Sequence, residues 1–107
     1  MIWDKILDYC REKQIWAEKT MEVTDWNMLF GSGIKEQEDY IRKRDNIAGI
    51  KLFKTDGELS IISHPFSYGG KEDRFEIMEI RDTDTKDVIG YLTEEEVIRY
   101  IENWNEK

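Results

Sequence analysis

Nucleophilic catalysis is the first chemistry to test in this chain, because it depends on residue types that are scarce here. The sequence contains one cysteine, Cys10, and one histidine, His64. An activated thiol needs a base within hydrogen-bonding reach, so these two residues form the only cysteine dyad that the chain can offer. Cys10 falls on the apolar face of a predicted helix, where burial raises the pKa of a thiol. The pattern therefore favours a core cysteine and predicts no catalytic residue.

Metal binding is a second candidate chemistry, and the acidic stretch 82–87 is where the sequence offers ligands for it. Asp82, Asp84 and Asp87 carry oxygen ligands of the kind that calcium prefers. An EF-hand loop starting at Asp82 needs Gly at its sixth position and Glu at its twelfth, but Asp87 and Thr93 stand there. Zinc usually takes closely spaced Cys and His ligands, which this chain does not provide. We expect neither a metal nor a cofactor.

Two glycine-containing loops, 31–34 and 63–74, have features of anion-binding sites. The Gly-Ser-Gly of the first loop precedes a predicted helix, whose free N–H groups can face an anion. It lacks the Lys-Thr/Ser ending of a P-loop and the third glycine of a dinucleotide site. The second loop, SHPFSYGGKEDR, predicts a pocket if it gathers its polar residues: His64, Tyr68, and Lys71 or Arg74. A small-molecule or anion-binding protein, or a minor enzyme, is therefore one alternative function.

The charge of the chain argues against direct nucleic-acid binding. It has 24 Asp and Glu against 16 Lys and Arg, a formal net charge of -8, and residues 82–107 hold eight acids and three bases. An acidic surface repels nucleic acid and anionic membranes and attracts basic partners. The basic cluster at 42–44 has acidic neighbours and is predicted to be a solvated helix face. The charge favours a protein partner with a basic surface.

Aromatic residues supply the second argument for protein recognition. The chain has four Trp, five Tyr and four Phe, and Trp and Tyr are favoured anchors at interfaces. Phe66 and Tyr68 lie on a connector rather than on a periodic face, so either exposure or folding over the sheet is open to them. The predicted partner-binding residues combine aromatic anchors with acidic residues of the last third: Phe66, Tyr68, Asp82, Asp84, Asp87, Glu94, Glu95, Tyr100 and Glu102.

The first half of the chain reads as two helices around a strand. Residues 1–19 show apolar side chains at helical spacing, ending with Ala17, with Trp16 at the edge of the stripe. Residues 26–30 are rich in aromatic and apolar side chains and predict a short strand. Residues 34–47 predict a second helix with a thin apolar stripe.

The second half reads as two hairpins and a helix. Asp56-Gly57 suits a two-residue type I′ turn, which would oppose Thr55 to Glu58 and place Ile50, Leu52, Leu59 and Ile61 on one face. A second hairpin joins strands in 74–82 and 87–92, with an alternation break between Ile77 and Ile80 that suggests a bulge or burial on both faces. Thr93 and Glu96 form a capping box before a helix whose buried stripe holds Val97, Ile98, Ile101 and Trp104.

These elements predict an α+β fold. We expect an antiparallel sheet of four to five strands flanked by N-terminal and C-terminal helices, in the order α-β-α-β-β-β-β-α, as a single compact domain over 1–107. Charged residues interrupt the N-terminal apolar stretch, and no apolar run approaches the roughly 18 residues of a membrane span. We therefore expect a cytoplasmic protein that does not bind membranes.

The residues resemble no family motif, so function is inferred from surface chemistry. We expect a non-enzymatic, acidic protein-binding domain that docks on a basic, nucleic-acid-handling partner as an inhibitor or regulator. Phage defence inhibitors and immunity proteins share this size and charge sign, which is a likeness of composition alone. The small-molecule alternative stays open, as does an oligomeric structural subunit that assembles through a sheet edge.

Overall fold

Helices flank an antiparallel sheet in the computed structural model, which describes residues 1–23, 37–81, 84–85 and 88–106. The predicted α+β class and its order of elements are confirmed, with one two-residue strand in addition. The elements are α1 (Asp4–Glu12), β1 (Trp16–Glu22), α2 (Gln37–Arg44), β2 (Ile47–Lys54), β3 (Gly57–Ile62), a 3₁₀ helix (Gly70–Glu72), β4 (Phe75–Arg81), β5 (Asp84–Thr85), β6 (Ile89–Leu92) and α3 (Glu94–Glu106).

The strands follow one another across the sheet in the order β1-β2-β3-β4-β5. The strand β6 also pairs with β4, so β5 and β6 share the side of the sheet opposite to β1. Each of these pairs is antiparallel. Of the helices that the structure describes, none is both long and apolar enough to cross a membrane.

The core lies between α1, α3 and one face of the sheet. Trp3 joins the layers, because its ring packs edge-to-face on Phe75 at 5.1 Å and its indole N–H donates to the Ile47 carbonyl at 2.8 Å. Burying one such aliphatic or aromatic side chain contributes about 1.5–3 kcal/mol. The other central core residues are fully or almost fully buried: Ile6, Cys10, Ile50, Leu52, Leu59, Ile61, Ile77, Val97, Ile101 and Trp104.

The first helix is shorter than predicted. It ends at Glu12 rather than at residue 19, because Gln14 adopts a left-handed φ of 57° that terminates the helix. Residues 16–22 instead form an edge strand, in which Ala17 pairs with Leu52 and Trp16 is exposed. The strand predicted at 26–30 lies outside the described residues.

The second helix also ends earlier than predicted. It stops at Arg44, and positive φ angles of 48° at Asp45 and 62° at Asn46 turn the chain into β2. Ile47, assigned to the helix from its spacing, is the first residue of β2. The beginning of the predicted helix, before residue 37, lies outside the described part of the chain.

The first hairpin has the predicted faces but a different turn. Its loop is Thr55-Asp56, with Lys54 opposite Gly57, and neither loop residue has a positive φ. The predicted type I′ turn at Asp56-Gly57 is therefore wrong. Ile50 pairs with Ile61 and Leu52 with Leu59, and these side chains are buried together as predicted. A register change of two residues preserves the face on which each side chain lies.

The strand β4 alternates without a break, because a carboxylate takes one of the inward positions. Phe75, Ile77 and Glu79 are buried, while Ile80 lies half-buried on the other face. The bulge suggested between Ile77 and Ile80 is absent from the pairing of β4 with β3; a register shift occurs instead in the pairing of β4 with β6, between the Phe75 and Ile77 positions. Sequence pattern did not reveal the inward glutamate, because a charged residue reads as solvent-facing.

The last helix is the best-predicted element. The Thr93 N–H donates to Glu96 Oε1 at 3.0 Å, and the Glu96 N–H donates to Thr93 Oγ1 at 3.2 Å. This confirms the capping box, and the hydrogen bonds from Thr93 lower the pKa of the Glu96 carboxyl. Val97, Ile101 and Trp104 are buried as predicted, with Ile98 half-buried.

Candidate functional site

The 63–74 loop is built around the buried side chain of Arg44. The guanidinium is fully buried and donates to the Ser63 carbonyl at 3.1 Å, the Ser63 hydroxyl at 3.0 Å and the Gly70 carbonyl at 2.9 Å. It also donates to the Tyr40 carbonyl at 3.2 Å and pairs with Asp73 Oδ1 at 3.0 Å. The planar fork of arginine suits this many fixed acceptors. A helix side chain thus binds both ends of the loop.

The buried charge of Arg44 is compensated from two sides. Burial lowers the pKa of Arg44, and the neighbouring Tyr40 and Asp73 oppose that shift. The guanidinium stacks over the Tyr40 ring at 3.4 Å from its centroid, and burial raises the pKa of Tyr40 to about 12. Partial burial alone would raise the pKa of Asp73, but hydrogen bonds and charges from Lys43 and Arg44 outweigh it and hold the pKa below its ordinary value.

Hydrogen bonds within the loop fix its backbone. The Ser67 hydroxyl donates to the His64 carbonyl at 2.8 Å and accepts from the His64 N–H at 3.0 Å. Gly69 has a left-handed φ of 85°, and a Cβ on Gly70 would lie 1.8 Å from the His64 carbonyl oxygen. Both glycines are therefore required for the path of the chain. The Ser63 hydroxyl closes the loop by donating to the Arg74 carbonyl at 2.9 Å.

The loop presents two aromatic side chains to solvent, which settles an alternative that the sequence left open. Phe66 is 74% exposed and Tyr68 is 61% exposed. The Tyr68 backbone is held on both sides, since its N–H donates to Glu76 Oε2 at 3.3 Å and its carbonyl accepts from the Tyr91 N–H at 3.2 Å. The exposed rings therefore extend from an ordered backbone.

Tyr91 on β6 adds a third exposed ring that the sequence analysis did not single out. It is 61% exposed and has a φ of 59°, an unusual backbone for a bulky residue that costs roughly 1–2 kcal/mol. Tyr68 packs directly against the backbone of the neighbouring Gly90, where any larger residue would clash, because a Cβ on Gly90 would lie 2.4 Å from the Tyr68 Cβ. The one sequence feature that could have indicated this contact is Gly90, because a glycine inside a strand often marks the close approach of another segment.

We call Phe66, Tyr68 and Tyr91 the aromatic patch. Val88 and Ile89, which are 42% and 40% exposed, lie on the same segment as Tyr91.

The helix α3, which follows β6 in the chain, carries acidic side chains. Thr93 follows β6 directly, so the first turn of α3, with Glu94, Glu95 and Glu96, begins close to Tyr91 in the chain. The last turn of α3 has no basic residue to complement the negative end of the helix dipole. Burial together with the charges of Glu102 and Glu106 raises the pKa of Tyr9. The resulting negative potential favours basic groups.

The predicted partner-binding residues are distributed unevenly. Phe66 and Tyr68 belong to the aromatic patch, and Glu94, Glu95 and Glu102 lie on α3. Tyr100 is half-buried and its hydroxyl donates to Glu79 Oε2 at 2.8 Å, which directs it toward the sheet. Asp84 lies in β5, while Asp82 and Asp87 are outside the described residues. The predicted solvated face at 42–44 is wrong for Arg44, because its side chain turns inward to the loop.

Among the polar residues predicted to form a pocket in the 63–74 loop, His64 has a structural role. His64 Nδ1 accepts the Phe66 N–H at 3.1 Å, while burial and the charge of Arg44 lower the pKa of His64. Lys71 is exposed and Arg74 is half-buried. Cys10 lies in the core as predicted, where burial raises its pKa to about 11. Across the described ranges, no group of three or more His, Cys, Asp or Glu residues is arranged to hold a metal ion.

Comparisons of the chain with protein-family models, curated proteins and solved structures found no match. Function is therefore argued from the geometry of the site. The arrangement offers an ordered loop, exposed aromatic rings and an adjoining acidic helix, which together are suited to contact with a macromolecular surface.

Replacing Arg44 tests the organisation of the site. We expect Arg44→Met to lower the free energy of unfolding by about 3 kcal/mol, because it leaves carbonyls of the loop and Asp73 without their donor. Arg44→Lys keeps the charge but cannot occupy all the acceptors, so its loss should be smaller but still measurable. Urea denaturation of each variant measures these changes.

Arg42→Met is the matched control, since Arg42 lies on the same helix but is exposed and pairs only with Asp39 at 3.7 Å among the salt bridges of the described residues. Its effect should stay within about 0.5 kcal/mol. Equal effects of the substitutions at 42 and 44 would contradict the organising role of Arg44.

Proposed function

We propose that this chain is a non-enzymatic protein-binding domain that docks through the aromatic patch on a partner with a basic surface. The observation that carries the proposal is the exposure of Phe66, Tyr68 and Tyr91 from backbones held by hydrogen bonds. Exposed aromatic rings bury a large area on docking and are the commonest anchors of protein interfaces.

Pre-organisation supports the docking role of the patch. Association costs less when the binding segment is already ordered, because less conformational entropy is lost. Arg44 and the hydrogen bonds of Ser67 order the loop before any partner arrives. The strained backbone of Tyr91 also supports a role outside stability, since such strain concentrates at functional sites.

Charge supports the basic character of the partner. The chain has a formal net charge of -8, and α3 carries five glutamates against one arginine. Such a surface steers a basic partner during encounter and repels nucleic acid. A concrete form of the proposal is an inhibitor or regulator of a nucleic-acid-handling enzyme, whose basic groove accepts carboxylates in place of phosphates.

Assembly through a sheet edge is the second candidate, favoured by the exposed Val88 and Ile89 beside β4. The charge of -8 opposes self-association, because identical acidic surfaces repel each other. Mass measurement in solution separates the two: a stable oligomer supports assembly, and a monomer supports docking on another protein.

The aromatic patch should contain the hot spots of the interface. After affinity purification from the native host identifies the partner, we expect Phe66→Ala and Tyr68→Ala each to weaken its affinity by about 30-fold. Tyr91→Gly should weaken it similarly, while relief of backbone strain keeps the free energy of unfolding within about 1 kcal/mol of wild type. Titration calorimetry with the purified partner measures the affinities.

Trp16→Ala is the control for this series, because Trp16 is 67% exposed but lies on β1, at the opposite edge of the sheet. Its affinity should change by less than about threefold. A large loss at Trp16 with none at the three patch positions would place docking elsewhere and refute the proposal.

Charge on α3 should govern the rate of association. Replacing Glu94, Glu95 and Glu102 together by Gln should slow association by about tenfold at low ionic strength and flatten its salt dependence. The control replaces Glu18, Glu22 and Glu38 by Gln, which changes the net charge equally on β1 and α2. If both triple variants associate like wild type in stopped-flow measurements, steering by α3 is ruled out.

A further inference from the structure

The titratable imidazole ring of His64 is hydrogen-bonded directly to Phe66, a residue of the aromatic patch. Its Nδ1 accepts the backbone N–H of Phe66 at 3.1 Å, and the two rings lie edge-to-face with centroids 6.4 Å apart. The His64 backbone is fixed separately by Ser67, through its N–H and its carbonyl. The ring therefore holds the Phe66 backbone, while other hydrogen bonds hold the remainder of the loop.

We propose that protonation of His64 releases Phe66 from its present conformation, so that acidification regulates the aromatic patch. The regulation of partner binding rests on the proposed docking function. The release of Phe66 itself does not, because it takes place in the protein without a partner. The nitrogen that accepts the Phe66 N–H needs a lone pair, so His64 is neutral in this arrangement with its proton on Nε2. An imidazolium carries N–H on both nitrogens, which turns the hydrogen bond into a contact between two donors.

The surroundings of His64 favour its neutral form, so its protonation occurs at acidic pH. Burial and the positive charge of Arg44, which projects from α2, lower the pKa of His64 below its ordinary value of about 6.5. The unfolded chain then binds the proton more readily than the folded chain. Stability is therefore full above the ordinary histidine pKa and falls as the pH drops through the folded value.

Asp73 titrates in a different range. Burial acts to raise its pKa, but Lys43 and Arg44 hold the pKa below its ordinary value near 3.8, so it stays ionised while His64 titrates. The ion pair between Arg44 and Asp73 persists across that range, and with it the attachment of the loop at its far end. Protonation of His64 should thus loosen Phe66 locally rather than unfold the loop.

Nitrogen-15 NMR of the free full-length chain tests the release between pH 7.5 and 5. Imidazole shifts should show a neutral Nε2–H tautomer at pH 7.5. The Phe66 amide shift should then move with the His64 titration, at the same midpoint below about 6.5. The Phe66 order parameter should fall from about 0.85 toward 0.6 or lower as His64 is protonated. A Phe66 amide that keeps its shift and order parameter through the titration would overturn the proposal.

His64→Asn is the matched variant, because its amide oxygen lies on the same side-chain position as Nδ1 and accepts a hydrogen bond without titrating. Its Phe66 signals should stay constant over the same pH range. A change in this variant equal to that of wild type would assign the effect to another group and overturn the role of His64.

Affinity for the purified partner at pH 7.5 and 5.5 separates this inference from the docking proposal. If Phe66 is released in the NMR titration but Phe66→Ala binds the partner as well as wild type, the docking role fails and the switch stands. If Phe66→Ala weakens binding but the Phe66 signals ignore pH, the docking role stands and the switch fails.

Discussion

The burial of one arginine is the constraint on which the rest of the site depends. Placing the Arg44 charge out of water is costly unless its donors are satisfied and its charge is paired. The Ser63 and Gly70 carbonyls, the Ser63 hydroxyl and Asp73 meet that requirement, and all of them belong to the 63–74 loop. The path of the loop therefore follows from the hydrogen bonds and ion pair that the Arg44 side chain on α2 makes with it.

The fixed loop in turn explains the exposed aromatic patch. Arg44 binds Ser63 near the start of the loop and Gly70 and Asp73 near its end, while His64 holds the Phe66 N–H and Glu76 holds the Tyr68 N–H between them. The Tyr68 carbonyl accepts the Tyr91 N–H, Gly69 lies against Tyr91 and Gly90 lies against Tyr68, so the loop and β6 are packed closely where Tyr91 has its left-handed φ. The loop that Arg44 binds is thus also the loop that carries two exposed rings and contacts the segment carrying the third.

Local signals were readable from the sequence, and contacts between distant segments were not. The capping box of Thr93 and Glu96 involves residues three apart, so its pattern predicted its structure. The neighbours of Arg44 in the chain are acidic and predict a solvated side chain, whereas Ser63, Gly70 and Asp73, which bind it, come 19 to 29 residues later. Residues 16–19 continued a helical stripe, but pairing with β2 made them a strand. The contact between Tyr91 and Tyr68 joins residues more than 20 positions apart, so no local pattern predicts it.

The central claim is that Arg44 holds the 63–74 loop as firmly as a strand of the sheet. Native-state amide hydrogen exchange tests it directly at Ser67, Gly70 and Arg74, whose N–H groups donate to His64, Ser67 and Gly69. The account predicts that these amides exchange at free energies close to those of the β3 amides, so that the loop opens only when the sheet does. Exchange of the loop amides near the unprotected rate, while β3 stays protected, would contradict it.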